Sequence, residues 1–175
     1  MRAVTVSWDK AGGRFTALGS RGTHTIAINA PRAPGETRSA TGFSATELLL
    51  AGAGACSAWD VVEILRKRRS HLESLDVAVE GEQQPDPPWT YRRVALHYRI
   101  AGEGLRPEVI ARVIRLSITR YCSVITTIAG VAAVEATYEL VGPGGEGGDR
   151  RPIELALSAT PLPGIPEPSA DEDEI

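Results

Sequence analysis

The stretch GAGACSAWDVVEILRKRR, Gly52 to Arg69, decides how this chain folds. Its apolar residues recur at helical spacing. Yet it opens on two glycines and places a cysteine where a core helix usually carries Leu or Ala. Each glycine inside a helix costs about 1 kcal/mol relative to alanine, so the pattern implies that something must approach the backbone closely near Cys56. Upstream, Leu48, Leu49 and Ala51 continue the pattern back to SATE, Ser44 to Glu47. Ser and Glu at that spacing form a capping box: the serine hydroxyl accepts from an early backbone N–H and the glutamate reaches back. The spacing therefore predicts one long helix from Ser44, apolar nearly all round as far as Leu65 and hence buried. It ends in RKRRSH, whose cations suit the negative end of the helix dipole.

Working outward, the N-terminal third alternates apolar and polar residues at Arg2–Trp8, from Phe15 onward and at Thr23–Asn29, with a Gly-Gly turn in KAGGRF. This predicts a three-strand meander. The segment Ala30–Phe43, rich in Pro, Gly, Ser and Thr, reads as a loop long enough to be functional. Beyond the helix, Ser74–Glu82 and Tyr91–Ile100 alternate again and predict two strands joined by QQPDPPW. Pro107 sits where a second helix begins, with Val109, Ile110, Val113, Ile114 and Ile118 on its apolar stripe. Tyr121–Ser123 interrupts or ends that helix. A short helix to Gly130 and a last strand at Ala132–Val141 follow. Strands, long helix, strands, helix, strand is the order of an α+β domain, placed at residues 1–141. From 142 to 175 the composition predicts a Gly/Pro-rich linker and an acidic, disordered tail; within it IELALSA, Ile153–Ala159, is an extra strand or none.

The 175 residues suit one domain plus a tail, and the net charge of −3 excludes a global basic field for nucleic acid. No stretch is expected to approach a membrane span, and the N-terminus lacks the apolar core of a signal peptide. These features predict a soluble cytoplasmic protein, where a disulfide is transient or catalytic rather than structural. Two cysteines and three scattered histidines give no metal-ligand spacing, so neither a metal nor a cofactor is expected.

The two cysteines are Cys56 and Cys122, the latter in RYCSVITTIAG. A free cysteine packs as a small hydrophobe, and that reading suffices for either residue taken alone. Context argues for chemistry. Cys56 lies in a run of small residues, Ala51–Ala58, that allows close approach. Cys122 falls at a helix break, beside a fresh helix N-terminus that favours a thiolate. Spacing alone does not bring the sulfurs together.

The segments ELLLAGAGACSAWDVVEIL, Glu47–Leu65, and YCSV, Tyr121–Val124, resemble the OsmC/Ohr family, the osmotically inducible and organic hydroperoxide resistance proteins. The likeness is nearest to the OsmC-like branch, and the order of elements fits from about residue 3 to 141. The resemblance implies an OsmC-like fold: antiparallel sheets packed around a long buried central helix and a second helix, in an intertwined homodimer with sites at the subunit interface. It implies thiol-dependent reduction of organic hydroperoxides, with Cys56 as the peroxidatic and Cys122 as the resolving cysteine and an external dithiol as reductant. It also implies an arginine beside Cys56. Arg38 has the best spacing, ahead of Arg32 and Arg21; each is otherwise a solvated loop arginine. Glu47 is the candidate carboxylate, but Thr46 occupies the position of the family's glutamate. One residue turns a helix side chain by about 100°, so the capping box is a sufficient role for Glu47.

Asp60, one turn after Cys56, would oppose a thiolate and is expected to face another partner such as an arginine. Trp59, Trp89 and Tyr121 are candidates to line an apolar peroxide pocket or to be ordinary core, and His24, His71 and His97 are not expected to act as a base. Against the peroxidase stand two other readings: a non-catalytic protein holding a small lipophile in the interface pocket, and a stress-associated dimer whose acidic tail recruits a partner.

Overall fold

Alternation of side chains gives the first sheet its shape. In the computed structural model, which describes residues 3–20, 24–31, 37, 39–40, 42–142, 145–155 and 157, β1 (Val4–Asp9), β2 (Arg14–Gly19) and β3 (Thr25–Asn29) form an antiparallel meander. Gly13 takes a positive φ of 56° in the β1–β2 turn, a conformation glycine adopts without strain. Residues 1–51 and 52–175 form two compact units. The first holds this meander and the opening of α1 (Ala45–Lys67).

The capping box is formed as the sequence predicts. Glu47 N donates to Ser44 Oγ at 3.1 Å and Ser44 N donates to Glu47 Oε2 at 2.7 Å. Those bonds hold the Glu47 carboxyl below its ordinary range.

In the second unit, β4 (Ser74–Gln83), β5 (Tyr91–Ala101), β6 (Ala133–Val141) and β7 (Arg151–Ile153) form one sheet in that order. The β5–β6 pair is parallel, and α2 (Pro107–Leu116), a π-helical turn (Ser117–Tyr121) and α3 (Ser123–Ala129) make the crossover. The sheet is thus mixed, because only a helical connection lets β6 run alongside β5. Inward residues of β5, namely Val94, Leu96, Tyr98 and Ile100, are all buried. The outward face carries Arg93 paired with Glu135 and Arg99 paired with Glu139.

The composition of residues 142–152 predicts a linker, yet Arg151–Ile153 pairs antiparallel with β6 and Gly147 bridges to Val141. Gly-rich chain can run along a sheet edge because backbone hydrogen bonds, not side chains, hold it there. The acidic tail lies outside the described residues.

Two expectations for α1 need correction. Its 23 residues are long and apolar enough, by length and composition, to cross a membrane. Between Ala45 and Trp59 the only charge is Glu47, and the abundant alanine hides this from a count of large apolar residues. Nor is α1 buried all round. One stripe is buried, Ala53, Gly54, Ser57, Val61 and Leu65, while Leu49, Trp59 and Val62 remain exposed in the single chain.

Gly54 answers the question of the glycines. A Cβ there would lie 2.9 Å from Val79 Cγ2 and 3.9 Å from Val77 Cγ1, so the bare backbone lets α1 settle on β4. A Cβ at Gly52 meets no described atom within 4 Å. Gly54→Ala is expected to destabilise the protein by about 1–2 kcal/mol in urea unfolding, because overpacking against a stiff β-branched side chain outweighs the gain in helix propensity.

Candidate active site

The stripe that buries α1 also carries its polar groups inward. Ser57 is fully buried, and its hydroxyl lies 2.6 Å from Tyr98 Oη on β5 and 2.9 Å from Ser117 Oγ at the start of the π-helical turn. Ser117, also fully buried, has the Ser57 carbonyl oxygen and Asp60 Oδ2 as acceptors, both at 3.2 Å. Its single hydroxyl hydrogen serves one of them at a time. Burial raises the Tyr98 phenol well above its ordinary value, so this ring remains a neutral partner.

The π-helical turn sets the second cysteine. Its wider loop closes with Cys122 N donating to Ser117 O at 2.9 Å. Cys122 then leaves helical geometry at φ −75°, ψ 98° and caps α3, its sulfur accepting from Ile125 N at 3.4 Å. The break expected at Tyr121–Ser123 is therefore this turn and cap. Such π segments recur at functional sites because they re-aim one side chain within a helical run.

These elements bring together Cys56, Cys122 and Asp60, whose Sγ and carboxylate atoms all lie within 4.8 Å of one another. Both thiols are free; Cys56 is half-buried and Cys122 fully buried. The Cys122 thiol is pushed up to about 12, first by burial and then by its hydrogen bond to Cys56; the bond from Ile125 N opposes both. Cys122 is thus a held thiol and Cys56 the more accessible one. Burial also raises the Asp60 carboxyl, with the bond from Ser117 opposing it. Asp60 has a partner other than Cys56, as expected, but its hydrogen-bond partner is Ser117 rather than an arginine, and its carboxylate also lies beside the sulfurs.

Arg38, Arg32 and Arg21 lie outside the described residues. Glu47 is exposed and engaged in the capping box. Trp59 and Tyr121 line a cavity of about 350 Å³ with Asp60, Glu63, Ile64, Lys67 and Arg68. Trp89 stands apart from it, in the β4–β5 loop, its carbonyl accepting from Gln83 Nε2. His97 bonds Thr137 on β6. The Ser57–Tyr98–Ser117 network went unread in the sequence because its members are 41 and 60 residues apart and none forms a motif.

A close pair of free thiols beside a half-buried carboxyl, held on an α+β scaffold, defines a thiol-bearing site. The chain belongs to the OsmC-like protein family, whose model matches residues 36–137. Protein YhfA of Escherichia coli K12 is 34% identical over 98 residues, which is 56% of this chain and 73% of that protein. Among solved structures, an OsmC-like protein from Mycoplasma pneumoniae superposes with a TM-score of 0.67 at 20% identity, over 81% of this chain and 98% of that one. An organic hydroperoxide resistance protein from Legionella pneumophila does so at 0.58 and 18%, over 79% and 96%. At these identities the two structures show the shared fold: the expected α+β, OsmC-like arrangement of two sheets and three helices, with the second sheet mixed where an antiparallel one was expected.

The raised Asp60 carboxyl has a consequence for stability. The folded chain holds that proton more tightly than the unfolded chain, whose value is near the ordinary 3.8. Stability from this group is therefore full below the ordinary range and is lost as pH rises through the raised folded value. Asp60→Asn removes the cost of burying the ion. Its Tm should exceed wild type at about pH 7 and the difference should shrink towards about pH 3, followed by calorimetry across that range.

Proposed function

We propose that the chain is a two-cysteine peroxidase for organic hydroperoxides. The observation that carries the reading is the approach of Cys56 and Cys122 sulfurs to within 4.8 Å, one half-buried and one fully buried. A thiolate at Cys56 attacks the O–O bond; the alcohol leaves with a proton and Cys56 becomes a sulfenic acid. Cys122 attacks that sulfur, the disulfide forms and water departs. An external dithiol then exchanges with the disulfide, restores both thiols and leaves as its own disulfide. The rings of Trp59 and Tyr121, in the cavity that Asp60 also lines, offer apolar surface for the organic group one helical turn from Cys56. The guanidinium that steadies the departing oxygen is assigned to Arg38, and Glu47 keeps its capping role. The organic hydroperoxide resistance protein of Legionella pneumophila shares the fold, which is consistent with this chemistry.

The exposed stripe of α1, with Leu49, Trp59 and Val62, supports a homodimer in which a second copy covers it. We place the chain in the cytoplasm, where a reversible dithiol is kept reduced.

With cumene hydroperoxide and a dithiol reductant, Cys56→Ser should lose turnover entirely. Cys122→Ser should consume about one equivalent and accumulate a sulfenic acid trapped by dimedone. Equal turnover in wild type and Cys56→Ser would remove the peroxidase reading. For the dimer, sedimentation equilibrium should give twice the chain mass, and Trp59→Glu should shift it towards the single-chain mass.

A further inference from the structure

We propose that Asp60 is the base of the disulfide-forming step: its carboxylate takes the proton of Cys122, directly or through one water, as that sulfur attacks oxidised Cys56. The inference rests on the two-thiol reading above, but not on the identity of the oxidant.

The need for a base follows from where Cys122 sits. Its sulfur is fully buried and caps α3. Burial holds its thiol protonated, and the thiolate is the attacking species. Oxidation of Cys56 relieves the part of the rise that Cys56 contributes, but burial, the larger cause, still favours the protonated thiol. A group that accepts the proton must reach the buried sulfur from within the fold.

Asp60 meets that requirement by geometry. It stands one helical turn after Cys56 and so shares its face of α1. Its carboxylate oxygen lies within 4.8 Å of both sulfurs, a span that a direct contact or one bridging water closes. The other polar side chains packed here, Ser57, Ser117 and Tyr98, are hydroxyls and far weaker bases. Ser117 Oγ lies 3.2 Å from Asp60 Oδ2 and orients the carboxylate when its hydrogen points there rather than to the Ser57 carbonyl. Asp60 also lines the cavity beside Trp59 and Tyr121, so its proton can exchange with solvent.

The placement is costly, which argues that it serves chemistry rather than packing. Among the described residues no cation pairs with the half-buried Asp60, and partial burial of a carboxylate without one is unfavourable. The same partial burial raises its proton affinity above that of an ordinary carboxylate, with the Ser117 bond opposing the rise.

The step balances. The Cys122 S–H proton passes to Asp60 and the new S–S bond forms. The S–O bond of the Cys56 sulfenic acid breaks, and the departing hydroxide takes the proton from Asp60 to leave as water. In the reducing direction, Asp60 first takes up a proton from solvent through the cavity it lines and delivers it to the Cys122 sulfur as an external thiolate attacks Cys56.

The test avoids the peroxide. The reduced full-length chain is treated with one equivalent of DTNB, which places a thionitrobenzoate on Cys56 and releases one thionitrobenzoate ion. Attack by Cys122 then releases a second, followed by stopped-flow absorbance. Asp60→Asn should slow the second release by about 10²–10³-fold relative to the first release of the same variant. Asp60→Glu should recover most of the loss, and Cys122→Ser should show no second release. Between about pH 6 and 9 the Asp60→Asn rate should climb about tenfold per unit, whereas the wild-type rate should level off once Asp60 is ionised. The titratable and charged groups facing Asp60 are Cys56, Glu63, Lys67 and Arg68 of α1, Tyr98 of β5, Tyr121 of the π-helical turn and Cys122. A second release in Asp60→Asn within about twofold of wild type would overturn the proposal, as would a wild-type rate that rises tenfold per unit throughout. The wild-type profile decides the matter even if the asparagine variant fails to fold. Rapid second release in a wild type that does not reduce cumene hydroperoxide would remove the peroxidase reading and leave Asp60 in its role.

Discussion

The hydroxyl of Ser57 is the point on which the site depends. It is fully buried, and it ties α1 to β5 through Tyr98 and to the π-helical turn through Ser117. A buried hydroxyl left without a partner costs about 1–3 kcal/mol, so the three groups hold one another in a single arrangement. Among the described residues no buried side-chain polar atom lacks a partner. With α1 fixed at Ser57, the preceding residue, Cys56, is held at the neighbouring position, and Asp60 is set one turn further on the same side. The bare backbone at Gly54 makes the arrangement possible, since a side chain there would push α1 away from Val79.

The second half of the constraint is the π-helical turn. A regular continuation of α2 would rotate Cys122 elsewhere. The wide turn Ser117–Tyr121 instead delivers Cys122 to the cap of α3 with its sulfur beside Cys56. One residue thereby does two jobs: it satisfies Ile125 N and it stands ready as a thiol. Burial keeps that thiol protonated. The two sulfurs thus occupy different surroundings, one half-buried and one sealed, and a division of labour between them follows from access and proton affinity rather than from identity.

Much of the fold was legible in the sequence because its signals are local. Alternation marked β4, β5 and β6, Pro107 marked the start of α2, and Ser44 with Glu47 marked α1. What escaped was set by tertiary contact. An all-round apolar helix does not declare which stripe the sheet will take, so neither the exposed face of α1 nor the inward turn of Asp60 was readable. Strand β7 escaped because it joins by backbone pairing within a segment whose composition reads as linker. At the site, both cysteines were visible as candidates, but their meeting was implied only by family resemblance. The hydroxyl network that enforces it has no sequence signature.

The central claim is that this chain carries an intramolecular dithiol whose two sulfurs combine reversibly. It is tested most directly by oxidising the reduced protein with diamide, which needs no peroxide, and mapping the proteolytic peptides by mass under non-reducing conditions. The account predicts one species in which the peptide containing Cys56 is linked to that containing Cys122 of the same chain, with both peptides freed by dithiothreitol. Two unlinked cysteine peptides, or links only between chains at Cys56, would contradict it.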